Sequence, residues 1–518
     1  MRQGPRLVAA LAPAAALVLA GCLVFTSAMT AAPDHDENMY VTAGVLLEEL
    51  SMYSDFAFLQ MPYLPWLYRS VFAFSGTTSY YLFARVVTVL FALVAAVALY
   101  SAGLRVTGSR LAALCGAALL LLNELVVRAM HEASNHVPPM ALGLLAFLLF
   151  NAAFREASTR RALLLLSGIA VGAAVGTRLT YAALLPVYAM ASSMWPGHVA
   201  RGARFKAVAL PWAAGTAVGL LPAAWYLVRA PGAFVFDNLG YHLANTEWRR
   251  LTAFPHAMTL EGKATFLATE VLALPTMLVL AAGAAAALVL AVVTRADREA
   301  GPDPSGHRER VLAAMLLAAS TLAALAPTPV FAKYFTVPTP YLVLLLVFAA
   351  RRGARHARAA GTLLLATTAI SLALGAPRYL STAKALASTS RWVPVEIHAR
   401  AANIGAAVAA AGPGKVATLT PLLAVEAGLP VYPELASGPF LYRVGDLLTP
   451  EQRARVRGTS PSTVGDLLRG EPPNAVLVGF EGELDAPLEA FARRSGYVKA
   501  DGDFWGATLY VRTPPGPS

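Results

Sequence analysis

From Pro33 the chain reads Pro33-Asp34-His35-Asp36-Glu37-Asn38-Met39-Tyr40, three carboxylates and an imidazole placed directly after an apolar run of spanning length. Carboxylates held at a bilayer edge lose solvation, which raises their basicity and suits Asp36 to general-base work. Glu37 is the secondary candidate, because adjacent helical side chains point about 100° apart and rarely serve one atom together. The same residues also make an ordinary helix start, with Asp34 or Asp36 as N-cap and Glu37 in the first turn. Spacing alone leaves both readings open.

Further polar groups recur at the ends of apolar segments. Arg85, Arg178 in Gly176-Thr177-Arg178-Leu179-Thr180-Tyr181, and Lys333 in Phe331-Ala332-Lys333-Tyr334-Phe335 sit where a charge is costly unless partnered, or else snorkels to the interface. Met130–His136 contributes His131, Glu132 and His136, which together with Asp36 make a ligand set for a divalent metal such as zinc or manganese. No His-Glu-x-x-His signature is present, and loop residues satisfying one another is the competing account. The stretch Phe236–Arg250 carries Asn238, Tyr241, His242, Asn245 and Trp248, and amides with aromatic rings suit a pyranose, whose hydroxyl edges alternate with C–H faces. An interfacial helix accounts for Tyr241 and Trp248 as well, but less readily for the amides and His242.

The elements that must position these residues are membrane-spanning. Of 518 residues 57% are hydrophobic and 14% charged, and the mean hydropathy is +0.57, more apolar surface than a soluble globule hides. Apolar segments run at about 7–28, 79–102, 111–127, 137–154, 162–176, 178–194, 207–227, 264–293, 311–327, 338–350 and 359–375, predicting about 11 transmembrane helices. Beyond Gly375 there are 14 basic and 13 acidic residues, so nearly all of the net charge of +11 belongs to the membrane part. Arginines and lysines gather in alternate gaps (Arg2/Arg6, Arg105/Arg110, Arg155/Arg160/Arg161, Arg201/Arg204/Lys206, Arg295/Arg298/Arg308/Arg310, Arg351/Arg352/Arg355/Arg358), and carboxylates in the others. The excess is therefore a topology signal, not a nucleic-acid footprint, and places the N-terminus in the cytoplasm. Leu19-Ala20-Gly21-Cys22 also fits a lipoprotein signal, but Leu23-Val24-Phe25 extend the run to spanning length and favour a retained helix.

An Asp-Glu pair after the first membrane helix, two residues before a tyrosine, followed by amphipathic helices and a Pro-rich aromatic stretch, resembles the C-type polytopic membrane glycosyltransferases. That family includes the protein O-mannosyltransferases, the lipid A aminoarabinose transferase and the rhizobial galacturonosyltransferases. Asp36-Glu37-Asn38-Met39-Tyr40 stands in the Asp-Glu-x-x-Tyr position, and Met61-Pro62-Tyr63-Leu64-Pro65-Trp66-Leu67 where relatives often carry Lys-Pro-Pro-Leu and aromatics. Gln60 or Met61 replaces the lysine of some relatives. The resemblance implies transfer of a sugar from a polyprenyl-phosphate carrier to an extracytoplasmic lipid, glycan or protein at the cell (inner) membrane. It assigns Asp36 as base with Glu37 beside it, and Tyr40, Arg85, Glu132, Arg178, Asn238, His242, Lys333 and Tyr334 as substrate-binding residues. One base and direct displacement imply inversion. The cations would meet the departing phosphate, and Glu132 would orient sugar or acceptor.

The resulting architecture is mainly α: a transmembrane domain over 1–375 with its catalytic outer loop at about 29–78, and a small extracytoplasmic α/β domain over 376–518. Strand-like Lys415–Leu419, Ala475–Phe480 and Thr508–Arg512 alternate there with helix-like Pro421–Ala427, Ser462–Arg469 and Ala486–Ser495. Gly412-Pro413-Gly414-Lys415 lacks the full phosphate-loop spacing and reads as a turn. A transporter or flippase of an envelope lipid or glycan is the alternative, disfavoured by carboxylates clustering in outer loops instead of at the midplane. A non-catalytic scaffold is the third.

Overall fold

Apolar chain in lipid must close its backbone hydrogen bonds within itself, and among the described residues the apolar segments read from the sequence are largely helical. The computed structural model describes residues 18–155, 158–195, 199–253, 258–296, 306–351 and 356–512. Arg2, Arg6, Arg298, Arg352 and Arg355 of the expected basic loops, and the beginning of the first apolar segment, lie outside these residues. Among the described residues, five helices are long and apolar enough to cross a membrane alone: Tyr80–Thr107, Arg201–Arg229, Pro275–Val293, Ala332–Ala349 and Ala357–Ala387. A sixth arises if Arg110–Leu122 and Glu124–Met130, bent by 63°, are one span; Val18–Thr30, Val137–Ala152, Arg161–Thr177 and Leu179–Met194 are shorter apolar helices.

The bend differs from the single straight segment expected at 111–127, and its cause is local. Asn123 takes extended backbone (φ −66°, ψ 128°) and its side chain accepts from Leu125 N–H at 3.1 Å, so one helix ends and the next is capped at the same residue. The second piece then delivers the loop His131–His136 to the end of the bundle. Helices Arg161–Thr177 and Leu210–Arg229 touch backbone to backbone: a Cβ on Gly168 would meet the Trp212 carbonyl at 2.1 Å, and one on Gly215 the Leu165 carbonyl at 2.0 Å. Such small-residue seams substitute for the hydrophobic drive that lipid removes. Tyr63 OH donates to the Gly219 carbonyl at 2.7 Å, anchoring the helix Tyr63–Ser75 to that seam.

The segment after the first helix folds as helices His35–Leu46 and Tyr63–Ser75 with the loop Met52–Pro62 between them, and Phe58 and Leu59 are buried. On the same side, Pro231–Leu251 is helical throughout, with a π-helical turn at Phe236–Gly240. The helix Ala357–Thr382 continues past Gly375, and the following chain builds a four-stranded sheet. Strand Val416–Thr418 runs parallel to Ala475–Val478, which pairs antiparallel with Thr508–Val511, and Val498–Lys499 closes the edge. The last strand has no counterpart in the sequence reading. Its two residues are exposed and carry no alternating pattern. At the Gly412–Lys415 turn, Lys415 Nζ is held by Glu471 at 2.9 Å.

Candidate active site

The helix beginning at His35 is capped by Asp34, not Asp36. The Asp34 carboxylate accepts from Asp36 N–H at 3.0 Å, and Glu37 Oε2 reaches back to Asp34 N–H at 2.9 Å, completing a capping box. Glu37 is fully buried and accepts from Tyr81 OH at 2.6 Å, Ala133 N–H at 2.6 Å and the Arg85 fork at 2.9 and 3.0 Å. Arg85 spends its remaining donors on the carbonyls of Ala28, Ala31 and Ala32. All five of its N–H groups are thereby committed. Neither residue lines the main cavity, so the sequence expectation of Arg85 as a substrate ligand meets a guanidinium already saturated by the chain itself. This pair fixes the end of the first helix, the start of His35–Leu46 and the loop at Ala133 in one relation.

That relation turns Asp36 into a cavity of about 860 Å³, where Lys333, Arg178, Glu132, Tyr40 and Tyr334 also face. Lys333 Nζ lies 2.6 Å from Asp36 Oδ2, 3.6 Å from Asp34 and 3.7 Å from Glu132. Burial raises the Asp36 carboxyl, but the Lys333 ammonium and the more distant Arg178 outweigh it and hold it below the ordinary carboxylate range. Glu132 is pushed up to about 8 by burial and by the neighbouring carboxylates, against the pull of Lys333. Burial and then Asp36 raise Asp34 as well. One carboxylate is thus held ionised beside two that resist ionisation, the divergence expected of a site that moves protons.

Arg178 donates through Nη1 to His136 Nδ1 at 2.6 Å and Asn135 Oδ1 at 3.2 Å, through Nε to Thr180 at 3.2 Å, and packs on the Tyr334 ring at 5.2 Å. His136 is buried and, by burial and then Arg178, held well below its usual value, so its ring is a neutral acceptor. His131, quoted with it in the sequence, turns instead to Ser27 at 2.8 Å and faces away from this cavity.

The opposite wall comes from the outer helix. Asn238, His242, Tyr241 and Asn245 line the cavity, and Asn238 is tied to the Phe234 carbonyl at 3.0 Å. Sequence reasoning missed Arg443 and Glu481 of the C-terminal part: Arg443 donates to Asn245 at 2.8 Å and Tyr241 at 3.1 Å, and Glu481 completes the lining beside Phe440. Apolar Leu239, Phe331, Pro327 and Ala326 share the wall, and Leu239 and Leu243 are more than half exposed on the same helix.

The whole chain superposes on known structures. ArnT from Cupriavidus metallidurans bound to undecaprenyl phosphate aligns with TM-score 0.65 at 16% identity, over 98% of this chain and 100% of that one. The apo state of the same protein gives TM-score 0.63, again at 16% identity, over 98% and 100% of the two chains. No family model matches the sequence, and no curated protein does. The chain has the fold of the C-type polytopic membrane glycosyltransferases.

Within the C-type fold, the expected metal set can be tested on its own atoms. Ligand atoms of Asp36, Glu132 and His136 lie within 4.8 Å of one another, whereas His131 is elsewhere. Yet the Asp36 oxygen is occupied by Lys333 and the His136 Nδ1 lone pair by Arg178. Two cations of the chain already fill the place of a divalent ion, and these residues do not fit one.

Proposed function

We propose that the protein transfers a sugar from a polyprenyl-phosphate carrier to an acceptor outside the cytoplasmic membrane. The observation that carries this reading is the contact of Asp36 with Lys333 in a cavity that also holds Arg178 and opens onto apolar residues, set in the ArnT-type fold. ArnT binds undecaprenyl phosphate in the structure cited above, and the same class of carrier suits this cavity.

The chemistry follows from the charges. A bound carrier phosphate competes for Lys333 and Arg178 by charge-assisted hydrogen bonds. Drawing Lys333 away removes the main force that keeps Asp36 weakly basic, so donor binding itself activates the base. Asp36 then takes the acceptor hydroxyl proton as that oxygen attacks the anomeric carbon. The bond from that carbon to phosphate oxygen breaks, and polyprenyl phosphate departs toward Lys333 and Arg178. A single displacement of this kind inverts the anomeric centre. Asn238 and His242 face the sugar across the cavity, Tyr40 and Tyr334 pack its sides, and Glu132 orients the ring or the acceptor as a protonated donor. Glu37 and Arg85 hold the frame. The N-terminus is cytoplasmic, the helices complete about 11 crossings, and the part beyond Ala376 lies outside.

Purified protein in lipid nanodiscs, given radiolabelled polyprenyl-phosphate sugars and envelope lipid or glycan acceptors, tests the reading. Labelled acceptor with inverted anomeric configuration is expected; no transfer there, with carrier translocation in sealed proteoliposomes, would favour the transporter alternative.

A further inference from the structure

A second cavity of about 280 Å³ lies beyond His35, between the start of helix His35–Leu46 and the C-terminal part. It shares Asp34, His35 and Glu481 with the main cavity, and His35 Nδ1 meets Glu481 Oε1 at 2.9 Å on the common wall. Three features of its lining point to a ligand.

Asn38 is 7% exposed, yet its side-chain oxygen has no hydrogen-bond partner among the described residues, and its Nδ2 reaches only the His35 carbonyl at 3.5 Å. A buried polar atom left without a partner calls for an explanation, and a group bound in the cavity supplies one. Trp505 adopts φ 59°, a left-handed conformation that a bulky residue rarely takes. Its N–H donates to Asp503 Oδ1 at 3.3 Å, and Asp503 is gripped in turn by Arg400 and, through its carbonyl, by Asn403 at 3.1 Å. Strain persists where surroundings over-determine it, and such positions gather at binding sites. Phe480 is 37% exposed on a loop whose Gly479, Phe480 and Glu481 N–H groups all donate to Asp485 Oδ2 at 2.8, 3.1 and 2.9 Å. Two aromatic side chains are therefore presented to the cavity from rigidly braced backbone.

The polar lining is acceptor-rich, with Asn38, Asp34 and Glu481 beside Thr420, and no lysine or arginine lines it among the described residues. A matching ligand donates hydrogen bonds, offers C–H faces to aromatic rings and carries no negative charge. A sugar ring with free hydroxyls does all three.

We infer that this cavity is a subsite for a neutral or amino sugar of the acceptor glycan, with Trp505 and Phe480 against the ring and Asn38 accepting from a hydroxyl. The inference rests on the proposed function for the word acceptor: a ring seated here directs the next unit of its chain past His35 toward Asp36. Phosphorylated or carboxylated sugars are disfavoured, because Glu481 lines the cavity and no lysine or arginine does so among the described residues.

The test uses the full chain in nanodiscs without any donor, and saturation-transfer NMR with methyl glycosides of glucose, galactose and mannose, the corresponding hexosamines, and glucose 1-phosphate. At least one uncharged or amino sugar is expected to give ring C–H signals that fall in Trp505→Gly and in Asn38→Leu, while any glucose 1-phosphate signal, which the main cavity can give through Lys333 and Arg178, is unchanged in both. Glycine takes the left-handed backbone without steric cost, which offsets part of the burial lost with the Trp505 side chain, so Trp505→Gly should stay folded. Should that variant fail to fold, Phe480→Ala at the surface serves as the replacement and should lose the same signals. Absence of sugar signals in the wild type, or their persistence in the variants, overturns the subsite. The binding test needs no donor, so sugar binding here together with no transfer in the separate assay with donor would overturn only the proposed function. Transfer with an unchanged acceptor KM in Trp505→Gly would overturn only the subsite.

Discussion

Lys333 and Asp36 stand 297 residues apart in the chain and 2.6 Å apart in space, the cation at the entry to one helix and the carboxylate in the first turn of another. Their contact makes the basicity of Asp36 depend on what else Lys333 can touch.

If Lys333 and Arg178 receive the carrier phosphate, Lys333→Gln and Arg178→Gln should each raise the donor KM by about one to two orders of magnitude, since a hydrogen bond to a charged group contributes roughly 1.5–3 kcal/mol. Steady-state kinetics with varied polyprenyl-phosphate sugar reads this directly. Unchanged donor dependence in both variants would return the two cations to a role in anchoring the bundle.

Glu37 and Arg85 predict a different signature. Glu37→Gln leaves a fully buried guanidinium without its counter-charge, which typically destabilises by about 3–5 kcal/mol. Thermal unfolding in detergent should show the loss, and replacing both residues with methionine should recover much of it. A wild-type Tm with depressed kcat in Glu37→Gln would instead place Glu37 at the reacting atoms.

Glu132 gives the protein a pH-dependent strain. Its folded value of about 8 exceeds the ordinary 4.5, so the native state holds a proton that the unfolded state has released. The associated stability is complete below pH 4.5 and is lost as pH rises through 8. Glu132→Gln should flatten the fall of Tm across that window and raise Tm at pH 8.5 relative to wild type. Parallel Tm profiles for the two proteins would show that Glu132 ionises as it does in water.

Orientation is testable without any substrate. Reporter fusions after Arg358 and after the C-terminus should report opposite sides of the membrane, cytoplasmic and external. Agreement between them would change the span count and the side on which Asp36 lies.

The helices were legible because lipid imposes one long apolar period on each, and Asp36, Glu132, Arg178 and Lys333 were legible because a charge beside lipid is costly enough to stand out. What each charge touches was not. Arg85 reads in sequence like Arg178, yet carbonyls of Ala28, Ala31 and Ala32, apolar residues with no marked side chains, absorb its donors. The bend at Asn123 hides in a run interrupted only by Asn123 and Glu124, since the capping amide resembles any polar interruption. The glycine pairs Gly168/Gly172 and Gly215/Gly219 carried a readable spacing for close helix contact that the hydropathy reading passed over. Arg443, Glu481 and Trp505 gave no signal, because they reach the cavities only through the tertiary docking of the C-terminal part.

The capping box separates two roles that the sequence left superposed at Asp34–Glu37. Asp34 supplies the cap and Glu37 its reciprocal bond, so Asp36 is released from helix capping and its carboxylate points to Lys333. Asp36→Asn keeps the size of the side chain and removes its basicity. General-base catalysis contributes about 10²–10⁴-fold, and transfer should fall by that factor while the fold persists. Donor binding should not weaken, because the loss of Asp36's charge frees Lys333 for the phosphate; a modestly lower donor KM is expected. Asp34→Ala should do the opposite, lowering Tm by removing the cap, which typically costs about 0.5–2 kcal/mol, with a smaller effect on turnover. Near-normal transfer by folded Asp36→Asn would exclude Asp36 as the base and turn attention to Glu132, which like Asp34 also lies within reach of Lys333.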